Sequence, residues 1–511
     1  MKKFLLHIFC LASIFSLNAQ PVQITMLDTS HQQISKYIYG HFAENLGRCI
    51  YDGFWADSNL NVPKQDRIRM DVVDALKKIH IPDLRWPGGC FADQYHWSDG
   101  IGERSKRPVR VNSIWGMVSD DNSFGTDEFL KLCNLLDCEP YIAGNVGSGT
   151  PQEMMNWLEY LNFNGKSTFA DMRRKNGHDA PYNVSLWGVG NESWGCGGQM
   201  TPEYYSNEFK RYAEFCKDYP GTHLKKIASG SNGDDYNWTE VCMKNIPLFD
   251  MWGISMHYYT IVNNWQHKGS ATSFGEDEYF KGLKSCLHIE DLINKHSEIM
   301  DKYDPQKKVA LAVDEWGIWT DAEPGTNPAF LYQQNSLRDA LIAASTLNIF
   351  NNHCDRVRMA NLAQTVNVLQ ALVLTNKEKM LLTPTYYVFD LYKIHQNATL
   401  IPLQFTSPQY VFNSDSINAV NASASKDSNG VVHITLVNLD SKKKITINTS
   451  LQNISSKNIE GEILTSQKFN DVNTFDDPNK VKTASFSDYK KSNNALSIDL
   501  PPMSVVLITI K

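Results

Sequence analysis

Eight short apolar segments punctuate the chain between residues 38 and 364, each running into polar or Gly residues. They span 38–44, 83–87, 140–146, 186–192, 226–231, 251–258, 309–315 and 357–364. Amphipathic stretches lie between them. Ile68, Val72, Leu76 and Ile79 recur at helical spacing, and so do Phe129, Leu132 and Leu136. Thr201-Pro202 and Thr383-Pro384 each set a capping hydroxyl before a Pro at the first helical position. Residues 277–303 and 334–353 read as two longer helices. Strands that alternate with helices pair in parallel, and eight of them close into a barrel. An open doubly wound sheet is the alternative, but no GxGxxG follows an early strand. The predicted fold is therefore α/β, a (β/α)8 TIM barrel over residues 37–396.

Beyond residue 396 the helical spacing stops. Val432, Ile434 and Leu436 alternate with polar neighbours, as do Ile445 and Ile447, and Val506, Ile508 and Ile510 close the chain. Short alternating strands predict an antiparallel β-sandwich, jelly-roll-like, over 397–511. Val22, Ile24 and Met26 form a strand-like segment within residues 20–36, expected to pair with that sandwich. A chain of 511 residues has room for both domains.

Lys2 and Lys3 precede a mostly apolar stretch from Leu5 to Leu17, and Leu17-Asn18-Ala19 resembles a small-residue cleavage site. Residues 1–19 thus read as a signal peptide cleaved near Ala19, and the chain as exported to periplasm or medium. The stretch is shorter than a membrane helix needs and no other run approaches that length, so no membrane insertion is expected. Cys10 lies in this leader; the remaining nine Cys are an odd number scattered from Cys49 to Cys354. One disulfide is compatible with that count, but the sequence does not choose its partners. Cys133 and Cys138 lack a second pair and no HExxH occurs, so no metal is expected. The net charge of −7, without a basic cluster, excludes a nucleic-acid partner.

In a barrel the chemistry sits where strands end. The first strand ends in Glu44-Asn45, the second in Arg85-Trp86-Pro87-Gly88-Gly89-Cys90, and the fourth in Gly190-Asn191-Glu192. The sixth ends in His257-Tyr258-Tyr259, the seventh in Asp314-Glu315-Trp316, and the eighth near Asn361 and Gln364. Glu192 and Glu315 each close an apolar strand, and two carboxylates facing one cavity suit glycoside hydrolysis. Nearby aromatics would desolvate one carboxyl and keep it protonated. Trp187, Trp194, Trp316 and Trp319 flank the pair. The 12 Trp, 22 Tyr and 23 Phe otherwise read as core, or as platforms for sugar rings. Asn191-Glu192-Ser193 also matches a glycosylation sequon, but the end of a buried strand is a poor acceptor.

Residues 39–48 (Tyr-Gly-His-Phe-Ala-Glu-Asn-Leu-Gly-Arg), Arg85-Trp86-Pro87-Gly88-Gly89, Gly190-Asn191-Glu192 and Asp314-Glu315-Trp316 resemble glycoside hydrolase family 51. That family consists mostly of retaining α-L-arabinofuranosidases with (β/α)8 barrels, and the resemblance spans the chain beyond the leader. It implies that Glu192 is the acid/base and Glu315 the nucleophile. It further implies that Glu44 and Asn191 bind sugar hydroxyls, that Tyr259 holds the nucleophile, and that Gln364 contacts the furanose. Many members carry Asn where this chain has Cys90, and a thiol is the poorer hydrogen-bonding group. Cys90 is therefore expected at the sugar with a weakened contact. Trp97 and Trp316 are expected to bind substrate, with Trp115, Trp265 and His267 on loops around the aglycone. The implied activity is exo-acting release of terminal L-arabinofuranose from arabinan, arabinoxylan or derived oligosaccharides, without a cofactor. Homo-oligomers are an expected state in the family. The alternatives are a clan relative acting on β-linked glucan or xylan, and a non-catalytic carbohydrate-binding protein.

Overall fold

A computed structural model describes residues 20–28, 30–451, 458–492 and 494–511. The predicted leader and Cys10 lie outside the described residues. Strands Gly40–Phe42, Asp83–Trp86, Glu139–Gly144, Leu186–Val189, Lys225–Asn232, Gly253–Thr260, Ala310–Ile318 and Val357–Leu362 form a closed parallel barrel. The eighth strand returns to the first, Asn361 opposite Gly40 and Leu362 opposite His41. Covering helices make both faces of such strands apolar, and all of Ala310–Ile318 is buried.

The Thr201 signal acts as expected, whereas Thr383 precedes helix Pro384–Tyr392 without a side-chain cap, its hydroxyl donating to the Ala371 carbonyl instead. The Thr201 hydroxyl accepts from Tyr204 N ahead of helix Pro202–Phe215. The same device stands at Thr150-Pro151 and starts helix Pro151–Asn162, which the hydrophobic spacing did not reveal. The long helix expected over 277–303 is instead two, Glu276–Leu287 and Ile289–Tyr303, meeting at His288. Each buries its own stripe, Phe280, Leu283 and Cys286 in one and Leu292, Ile293 and Ile299 in the other. Helix Leu337–Asn352 is buried almost all round, because barrel and second domain cover it on opposite sides. Asn348 accepts from the hydroxyls of Ser423 and Thr435 across that junction.

The second domain packs two sheets. One orders Thr399–Leu400, Val420–Lys426, Val432–Asn438, Ser504–Ile510, Ile459–Thr465 and Thr483–Ser485 side by side. The other orders Leu403–Gln404, Val22–Met26, Ile445–Ser450, Ala495–Leu500 and Tyr489–Ser492. The N-terminal strand is the second of this second sheet, parallel to Ile445–Ser450 and antiparallel to Leu403–Gln404. No helix among the described residues is long and apolar enough to cross a membrane.

Candidate active site

The seventh strand carries two consecutive acids, Asp314 and Glu315, and both reach the barrel interior. A regular strand alternates its side chains between faces. Here the register slips between Val313 and Trp316 against the eighth strand, and between the Ser255 and His257 pairings against the sixth. That bulge adds a residue and turns both carboxylates inward. Trp316 then falls on the outer face, 1% exposed, against Phe350 and Phe389 of the helical ring. Alternation from the inward-facing Glu315 thus removes Trp316 from the sugar site, contrary to expectation.

Glu315 is held from several sides. Tyr259 OH donates to Oε1 at 2.7 Å and Arg85 Nη1 donates to Oε2 at 3.0 Å. His257 Nδ1 lies 3.5 Å from the same Oε2. Glu192 sits three residues past the fourth strand, with its own backbone in the left-handed region at φ 39°. His257 Nδ1 is 3.0 Å from Glu192 Oε1, and Nε2 is 3.1 Å from Asp314 Oδ1. An oxygen of Glu192, one of Glu315 and a His257 ring nitrogen all lie within 4.8 Å of one another.

Arg85 organises the floor. Besides Glu315, its guanidinium donates to Asn191 Oδ1 at 2.6 Å and to the Asp314 carbonyl at 3.1 Å, and it lies over the Phe42 ring. Glu44 Oε1 accepts from Gly89 N, Phe91 N and Trp115 Nε1, while Oε2 accepts from Gln364 Nε2 at 2.8 Å. Gly89 leaves space over these groups: a Cβ there would lie 3.0 Å from Glu315 Oε2 and 3.6 Å from Asn191 Nδ2. Glu44, Asn191, Glu192, Tyr259, Glu315 and Gln364 therefore meet in one cluster. Tyr258 turns away, its hydroxyl donating to the Ser285 carbonyl.

Burial, with the nearby Glu315 charge, raises the Glu192 carboxyl above its ordinary range, and His257 and Arg85 oppose this. Burial and Glu315 likewise push Glu44 up to about 7. For His257, burial works against the charged form, but Glu315, Asp314 and Glu192 outweigh it and lift the imidazole to about 10. Burial acts on Asp314 too, yet Arg85 and His257 hold it below the usual carboxylate range. The arrangement combines a carboxyl raised above its ordinary range with a second carboxyl fixed in place within a few ångströms, as acid-assisted substitution at carbon requires.

Two further expectations change. Cys90 is disulfide-bonded to Cys196, so it has no thiol proton to donate to a sugar. The two sulfurs stand 3.8 Å and 3.4 Å from Glu192 Oε2 and wall that side of the site. Trp97 is not part of the cluster either. It is 3% exposed, stacks on Trp157, and donates to the Glu153 carbonyl, because its short helical turn folds onto helix Pro151–Asn162. Arg85, His257 and Asp314 were visible as strand-end residues but carried no assigned role. An aromatic row instead leads outward from Tyr259 through Trp319 to Trp265, which is 56% exposed.

Family models for the α-L-arabinofuranosidase 1 domain and the α-L-arabinofuranosidase C-terminal domain match residues 75–274 and 314–504. A Bacteroides ovatus protein named intracellular exo-α-L-arabinofuranosidase is 48% identical over all of this chain and 99% of its own. The crystal structure of a family 51 arabinofuranosidase from Xanthomonas axonopodis pv. citri superposes with TM-score 0.94 at 46% identity, covering 96% of this chain and 100% of that one. A Thermotoga maritima α-L-arabinofuranosidase, solved as an arabinose complex, gives TM-score 0.85 at 30% identity, covering 96% and 99%. The first relative overturns the expectation of export, since it aligns along the whole chain and is named intracellular. A charged residue pair before a short apolar run is also the pattern of a buried N-terminal helix, so composition alone does not mark a leader. The matches cover both domains, and the chain belongs to the α-L-arabinofuranosidases of glycoside hydrolase family 51.

Proposed function

We propose that this enzyme releases terminal α-L-arabinofuranose from arabinan, arabinoxylan side chains or their oligosaccharides by double displacement. Glu315 attacks the anomeric carbon while Glu192 protonates the departing oxygen. Glu192 then takes a proton from the water that cleaves the arabinosyl–Glu315 ester. The observation that carries this reading is the closeness of the two carboxyls, whose oxygens lie within 4.8 Å with His257 between them. Retaining enzymes place their carboxyls about 5–5.5 Å apart, whereas inverting ones leave about 6.5–9.5 Å for a water. Asn191 and Glu44 are assigned to the furanose hydroxyls, with Gln364 fixing Glu44. The exposed Trp265, edge-on to Trp319, supports an aglycone contact at the rim.

Product analysis on linear and branched arabinans and arabinoxylans tests the proposal. Free arabinose without internal cleavage products is expected; shortened backbone oligosaccharides as first products would overturn the exo reading. Glu315→Ala and Glu192→Ala should each lower turnover of natural glycosides by orders of magnitude. Near-normal turnover in either variant would refute its assigned role. Glu192→Ala should lose less on activated aryl arabinofuranosides, whose leaving groups need little protonation.

A further inference from the structure

Asp93 is buried beside the site and takes no part in the reaction proposed above. It lies in the short helical turn Cys90–Gln94 that follows the second barrel strand. Its Oδ1 accepts from Val146 N and Gly147 N, both at 2.8 Å, just beyond the third strand. Its Oδ2 accepts from Asn191 N at 3.2 Å, just beyond the fourth. One carboxylate thus joins three consecutive strand ends.

The surroundings are shaped to it. A Cβ on Gly147 would approach Asp93 Cβ to 2.8 Å. A Cβ on Gly197 would meet the Asn191 carbonyl oxygen at 1.8 Å and Asp93 Oδ2 at 2.8 Å. Both loops therefore press their backbones against this side chain. The residue after Asn191 is Glu192, whose positive φ is uncommon for a residue with a side chain and persists only where its surroundings enforce it. The Cys90–Cys196 bridge ties the same two segments on the other side of Glu192 and meets the Asn191 side chain, whose Nδ2 donates towards Cys196 Sγ at 3.9 Å, while the Asn191 backbone N–H goes to Asp93.

We propose that Asp93 is the positioning residue that keeps Glu192 aimed at the leaving-group oxygen, by fixing the Gly190–Asn191 peptide one residue before it. The inference rests on the reading of Glu192 as acid/base. A carboxylate suits the task because it accepts on both edges and offers no proton against the three N–H groups. In Asp93→Asn the amide nitrogen must face either the Val146–Gly147 pair or Asn191 N, so one edge of the tie opens while the side chain keeps its shape.

The test compares Asp93→Asn and Asp93→Ala with Glu192→Ala. It uses 4-nitrophenyl and alkyl α-L-arabinofuranosides, with and without sodium azide. Misplaced acid catalysis costs most where the leaving group is poor, so Asp93→Asn should lose about 10- to 100-fold more kcat/KM on the alkyl glycoside than on the nitrophenyl one. Azide attacks the anomeric carbon of the arabinosyl–Glu315 ester, forming a C–N bond as the C–O bond breaks and releasing the Glu315 carboxylate; no base is needed. It should therefore raise kcat of the Asp93 variants on the nitrophenyl glycoside and give arabinofuranosyl azide, while leaving the parent enzyme unaffected. Equal losses on both substrates with no azide response would overturn the inference, since a general structural defect has no leaving-group dependence. Should Asp93→Ala not fold, Asp93→Asn decides. If Glu192→Ala shows the azide response and the Asp93 variants do not, only the positioning role fails. If Glu192→Ala itself lacks it, the acid/base reading fails first.

Discussion

Arg85 can be altered in two ways that remove different parts of its role. Its guanidinium spans Glu315 Oε2 at 3.0 Å and Asn191 Oδ1 at 2.6 Å, two groups that a single ammonium cannot bridge in the same geometry. Arg85→Lys keeps the positive charge and loses the fork. One charge-assisted hydrogen bond is worth about 1.5–3 kcal/mol, so kcat/KM should fall about 10- to 150-fold. Because the charge that lowers Glu192 remains, the alkaline limb of the pH profile should stay in place. Arg85→Gln removes the charge as well. Arg85 pulls the Glu192 carboxyl downward, so its loss raises that carboxyl further and moves the alkaline limb to higher pH. It also leaves buried Asp314 and Glu315 with His257 as the remaining cation in contact with them, which should destabilise the fold by about 3–5 kcal/mol. Steady-state kinetics from pH 4 to 9 on an alkyl arabinofuranoside, whose leaving group needs the Glu192 proton, with denaturant titrations, separate these effects. Unchanged kcat/KM in Arg85→Lys would refute the positioning argument. An unmoved alkaline limb in Arg85→Gln would refute the electrostatic one.

His257→Gln should likewise move the alkaline limb upward, because the imidazole contact opposes the raising of Glu192. The same residue makes stability depend on pH. Its folded value of about 10 lies above the ordinary 6.5, so its contribution is full below 6.5 and is lost as pH rises through about 10. The gap in denaturant midpoint between parent and His257→Gln should narrow over that window, and a constant gap would contradict the argument. Replacing Cys90 and Cys196 together with Ser opens a link between positions 106 residues apart and should lower unfolding free energy by up to about 4–5 kcal/mol, read by denaturant titration. Activity should persist in that variant, since neither sulfur carries a proton for the reaction.

What the sequence made legible follows from rules that act locally. Glu192 and Glu315 were readable because apolar strands ended in acids, and a barrel gathers strand ends at one mouth. Glu44, Asn191, Tyr259 and Gln364 came from motif resemblance, and the structure brings them around the same cavity. Trp316 was misplaced because it directly follows the inward-facing Glu315, and alternation sends that neighbour to the outer face, against Phe350 and Phe389. Trp97 was misplaced because proximity in sequence to the second strand end says nothing of the fold-back onto Trp157. The Cys90–Cys196 bridge joins loops of different strands, which an odd cysteine count leaves undetermined. Asp93 reads as an ordinary loop acid until three backbone amides are seen converging on it.

Proton NMR of the first-formed sugar reads its anomeric configuration and so separates double displacement from a single inverting attack. Double displacement through Glu315 and Glu192 predicts that α-arabinofuranose appears first and then mutarotates. Initial appearance of the β-anomer would contradict the pairing of these two residues as nucleophile and acid/base.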